Sequence, residues 1–99
     1  MTGQPAPWYV YIVQCRDGTL YTGITTDVTR RVAEHNHGAL GARYTRARRP
    51  VHLIYQERSA SRAMAARREH AIRRLPAAAK RALGGEPGTA AGPLRPGES

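Results

Sequence analysis

The pattern of apolar and polar positions changes period several times along the chain. WYVYIVQC (8–15) and TLYTGI (19–24) are β-branched and aromatic runs broken at Arg16-Asp17-Gly18, which reads as a β-hairpin. TDVTRRVAEHNHG (26–38) reads as a helix, with Thr26 or Asp27 as its cap, Val28 and Val32 on one face and Gly38 at its exit. GALGARYTRARRP (38–50) is a basic loop closed by Pro50, and VHLIYQE (51–57) is a third strand. Ser59 or Ser61 caps a second helix running to Leu75, with Met64, Ala65, Ile72 and Leu75 as its apolar side. Pro76 opens a short last helix, PAAAKRAL, ended by Gly84-Gly85. The segments before residue 7 and after residue 84 bury little and are expected to be disordered. The order β-β-α-β-α-α predicts one small α/β domain over 7–84.

The hairpin register decides where the tyrosines go. A two-residue loop at Asp17-Gly18 pairs Tyr11 with Ile24 and sends Tyr21 to the opposite face. A three-residue loop, Arg16-Asp17-Gly18, pairs Tyr11 with Gly23 and Val13 with Tyr21, with glycine at the left-handed position of a bulged turn. Only this loop places Tyr9, Tyr11, Tyr21 and Gly23 on one face and Val10, Ile12, Leu20 and Ile24 on the other. The three-residue loop is therefore expected, with the second face as the core.

Composition then narrows the function. A domain of 99 residues buries only about 60–65% of its unfolded surface. The lone Cys15 reads as a buried thiol in a reducing compartment. No apolar run is long enough to span a membrane, and the N-terminus does not resemble a signal peptide, so a cytoplasmic protein is expected. The charge changes the picture most: sixteen Lys and Arg, all but Lys80 arginine, stand against seven acids for a net +9. Arg43, Arg46, Arg48 and Arg49 form one acid-free cluster. Arg62, Arg67, Arg68, Arg73, Arg74, Lys80 and Arg81 form another around Glu69. Guanidinium favours bidentate phosphate recognition, so a nucleic-acid partner is expected at Arg30, Arg43, Arg46, Arg48, Arg49, Arg67 and Arg74.

Three helical residues have more than one reading. Arg31 and His35, four apart, share a side of the first helix. They form either a solvated pair favoured by the helix dipole or part of a site. Glu69 is either the anionic half of an i,i+4 pair with Arg73 or a lone carboxylate suited to a divalent ion beside a phosphate.

Tyr11, then Tyr21-Thr22-Gly23, then Arg31, His35 and a helical Glu69 together resemble the GIY-YIG nuclease domain, over about residues 7–84. Its small stand-alone bacterial members are the most similar. Tyr9 and Val10 replace the Gly and Ile of the first tripeptide, and Thr22 replaces the Ile of the second. The resemblance implies a three-stranded antiparallel sheet flanked by helices. It also implies a divalent-metal-dependent endonuclease acting on DNA, at branched or damaged structures of repair or recombination. Tyr11 and Tyr21 would then lie near the attacking water, with Tyr11, Tyr21 and His35 all open as the base. Arg31 would stabilise the scissile phosphate, and Glu69 would hold Mg²⁺ or Mn²⁺. Many members also use a late Asn; the only Asn here is Asn36, in a different place. A targeting protein partner is a further expectation for so small a nuclease. The alternative is a non-catalytic DNA- or RNA-binding module on the same fold.

Overall fold

Period-2 alternation along Trp8–Gln14 (β1) and Leu20–Thr25 (β2) produces an antiparallel hairpin in the computed structural model, which describes residues 7–38 and 43–84. The tails expected at 1–6 and 85–99 lie outside the described residues. The chain continues through α1 (Val28–His37), α2 (Arg43–Arg46), β3 (His52–Ser59), α3 (Arg62–Arg73) and α4 (Ala77–Leu83). All three strands are antiparallel in the order β2-β1-β3, so the first strand is the central one.

The register is set by a three-residue loop. Cys15 N–H donates to Thr19 O at 2.8 Å, and Gly18 N–H to Cys15 O at 2.9 Å. Gly18 has φ +88°, the left-handed conformation that closes such a turn without a Cβ penalty. Tyr11 pairs with Gly23 and Val13 with Tyr21.

The sheet is buried on both faces, where the sequence suggested one clean core. Val10, Ile12, Leu20 and Ile24 pack with Ala65 and Ile72 of α3 and Leu83 of α4. Each fully buried aliphatic side chain here contributes about 1.5–3 kcal/mol. The tyrosine face is a second core: Tyr11, Val13 and Cys15 pack with Val28 and Val51, flanked by Tyr9, Tyr21, Val32 and Leu53. Tyr11 is therefore packed under α1, while Tyr9 and Tyr21 are half-buried at its flanks. Cys15 is a buried free thiol.

Local chemistry fixes the helices. Asp27 Oδ1 caps α1 by accepting from Arg30 N–H at 3.0 Å, and Ser61 Oγ caps α3 by accepting from Met64 N–H at 3.1 Å. Met64, expected on the apolar side of α3, is 53% exposed. Its neighbour Ala65 supplies that contact because a small side chain lets the helix approach the sheet. The segment expected as a basic loop contains the short α2, whose buried residue is Thr45.

Candidate active site

Tyr11 sits at the centre of β1, 1% exposed, beneath α1. Its hydroxyl is 2.8 Å from Nε2 of the fully buried His35, and His35 Nδ1 is 2.8 Å from Thr45 Oγ1. The solvated reading of His35 is thus overturned, because α1 turns this side of the helix onto the sheet. Arg31, one turn earlier on the same side, interacts electrostatically with Tyr11 and donates to Glu34 Oε1 at 2.9 Å. Tyr11 Oη and Thr45 Oγ1 thus engage both nitrogens of the His35 ring.

Burial dominates the electrostatics. It pushes the Tyr11 phenol up to about 12 against the opposing pull of Arg31. Burial, reinforced by the positive charges of Arg31 and Arg49, holds His35 down to about 4. At neutral pH the pair is a neutral phenol on a neutral imidazole. Burial works against the Arg31 charge, but its bonds to Glu34 and Tyr11 outweigh that and hold it cationic.

Gly23 explains how the phenol fits. A Cβ at this position would lie 2.6 Å from Tyr11 Oη and 2.8 Å from Cζ, so the missing side chain is the space that the hydroxyl occupies. Tyr21 flanks the pair, with its ring centroid 6.5 Å from Tyr11 and 5.3 Å, edge-on, from His35. Its other neighbour is Tyr44 of α2, stacked at 6.2 Å.

Tyr21 also opens onto a groove of about 280 Å³ lined by Leu20, Tyr21, Thr22, Tyr44, Arg73 and Lys80. Glu69 joins this groove indirectly, since its Oε2 accepts from Arg73 Nη1 at 2.8 Å. The i,i+4 pair weighed from the sequence therefore exists. Among the described residues no three His, Cys, Asp or Glu side chains converge, so Glu69 stands as a single carboxylate.

The arginines expected on phosphate divide into two groups. Arg30, Arg43, Arg46, Arg67 and Arg74 are exposed, Arg30 also lying 3.6 Å from Glu34. Arg48 is held by Asp17 at 3.2 Å and by Tyr44 O at 2.9 Å, with its guanidinium carbon 3.9 Å from the Tyr44 ring centroid. Arg49 is engaged within the fold: its guanidinium donates to the carbonyls of Glu34, His35 and Gly38 at the end of α1, where helix acceptors are left open. Asn36, away from any late-Asn position, bonds both Val51 N–H (2.7 Å) and Val51 O (2.9 Å). Sequence reasoning missed Thr45 and Tyr44 as parts of this region, and placed Arg73 and Lys80 only in a basic cluster around Glu69. The aromatic character of Tyr44 within a basic run was the one signal for the first two.

The GIY-YIG catalytic domain matches residues 7–81. UPF0213 protein DP2720 of Desulfotalea psychrophila is 60% identical over 82 residues, covering 83% of this chain and 74% of that one. UPF0213 protein VNG_2274C of Halobacterium salinarum is 56% identical over 75 residues, covering 76% and 96%. The solution NMR structure of EF2693 from E. faecalis is 33% identical, covers 83% of this chain and 88% of that one, and superimposes with a TM-score of 0.54. With its ordered Tyr, Tyr-Thr-Gly, Arg, His and Glu on this sheet-and-helix frame, the chain belongs to the GIY-YIG family.

Proposed function

We propose that this chain is an endonuclease that hydrolyses phosphodiester bonds in DNA with the help of a divalent metal. The carrying observation is the line Arg31–Tyr11–His35–Thr45, a partly buried cation beside a buried phenol backed by a neutral imidazole. Attack by water on a phosphodiester needs a group to take the water's proton and positive charge where negative charge develops. Arg31 meets the second need. His35 has both ring nitrogens engaged and no exposed surface, so it exchanges protons only through Tyr11. The base is accordingly a phenol oxygen. Tyr11 fits the role best, because it can pass its own proton to His35 Nε2 as it takes one from water. An anionic phosphate beside Arg31 offsets the positive charge that holds His35 down, so the imidazole becomes a better acceptor when substrate is present.

Glu69 is the residue for Mg²⁺ or Mn²⁺. Its single carboxylate fits a hard ion that keeps several waters and takes phosphate oxygens from its substrate, and its bond to Arg73 ties it to the groove. When bound, such an ion supplies Lewis-acid stabilisation of the phosphoryl oxygens. DNA rather than RNA, and branched or flapped structures in particular, are the proposed substrates.

The Glu69–Arg73 pair also favours a second reading, a nucleic-acid-binding module in which Glu69 only balances charge. A cleavage screen of branched, flapped and single-stranded substrates with Mg²⁺ or Mn²⁺ decides between them. The nuclease reading expects metal-dependent cutting that Glu69→Gln abolishes while binding persists. Tight binding with no cutting under any metal would leave the binding module.

A further inference from the structure

Two features of the groove beside Tyr21 go beyond the proposed chemistry. The first is Tyr44, a large aromatic that remains 39% exposed on the groove wall. Its 6.2 Å, 23° arrangement with Tyr21 is an offset stack. Arg48 fixes the ring through its bond to Tyr44 O and covers part of one face with its guanidinium, 3.9 Å from the centroid, which leaves the rest of the ring to the groove. An exposed, immobilised aromatic is pre-organised for stacking, because little side-chain freedom is lost when a flat partner arrives.

The second feature is charge. Arg73 and Lys80 come from two different helices to line the same groove. A flat aromatic surface and two cations within about 280 Å³ match one nucleotide. They do not match a duplex, whose base faces are already covered by their neighbours.

We propose that this groove, walled by β2, α2, α3 and α4, is a subsite for an unpaired nucleotide, with Tyr44 stacking on its base and Arg73 and Lys80 holding its phosphate. The subsite rests on the reading that the chain binds nucleic acid, and it does not require cleavage. It selects single-stranded segments, such as a flap or the strand beside a branch. Stacking tolerates any base, so little sequence preference is expected.

Anisotropy titrations in EDTA test it, with a fluorescein-labelled oligothymidylate and a blunt duplex of equal length as probes. Tyr44→Leu should weaken oligothymidylate binding by about 5- to 150-fold, the equivalent of one stacked base, and leave duplex affinity unchanged. Tyr44→Trp should retain single-strand affinity, and its indole emission should be quenched when the oligonucleotide is added. Lys80→Gln should lower the log–log salt slope for the single strand by about 0.7. Equal losses on both probes, no loss on either, or an unquenched Tyr44→Trp would overturn the subsite. Cleavage in Mg²⁺ is scored separately. An inert protein that shows the Tyr44 effect refutes the nuclease and keeps the subsite; an active one indifferent to Tyr44→Leu does the reverse.

Discussion

Tyr11 and Gly23 act as one unit: the phenol lies where a Cβ would be. Gly23→Ala should therefore displace the hydroxyl from His35, costing roughly 1–3 kcal/mol in urea denaturation by overpacking and most of any cleavage. His35 gives the fold a pH signature. Its folded value of about 4 lies below 6.5, so the unfolded chain binds more protons between those values. Stability should be fully present above about pH 6.5 and fall as pH drops toward 4, by up to about 3 kcal/mol, with His35→Gln flattening the trend. Tyr11, raised from 10.0 to about 12, works at the other end, and its contribution should fade as pH climbs from 10 to 12. The pairing of Tyr11 with Gly23 was legible in the sequence, since only one loop length separates the phenols from Val10, Ile12 and Leu20. The burial of His35 was not. Helical spacing shows which side of α1 it occupies, but not that Thr45, ten residues on, closes over it.

Among the elements, α1 is tied by polar side chains to the segment between α2 and β3. Arg49 satisfies carbonyls at the end of α1, and Asn36 clamps Val51 from both sides. Arg49→Ala should cost about 1.5–3 kcal/mol, the range for hydrogen bonds to a charged group, and barely change the salt dependence of DNA binding. Arg46→Ala should do the opposite, leaving stability intact and reducing the log–log slope on duplex DNA by about 0.9. Comparing denaturant midpoints with salt titrations of the two variants checks both. These roles explain why α2 was read as a loop. Its four residues carry no cap or apolar stripe, and its position follows from bonds to distant partners. The hairpin, α1 and α3 were legible because their turn and cap chemistry is local.

At the scale of the molecule, the +9 charge is distributed so that phosphate meets mostly cations. Among the described residues every carboxylate is engaged: Asp17 with Arg48, Glu34 with Arg30 and Arg31, Glu57 with Arg68, Glu69 with Arg73, and Asp27 at the cap of α1. Affinity for any nucleic acid should thus fall steeply with salt, measurable as a linear log–log plot. The central position of β1 has a consequence for biosynthesis. Of the three strands, β1 leaves the ribosome first, and both later strands must flank it. It can form a hairpin with β2 early, but its second edge stays unpaired until β3 has been made some forty residues later. A nascent chain halted before Ser59 presents that open, apolar edge to its neighbours, so vectorial synthesis leaves an interval in which aggregation competes with folding.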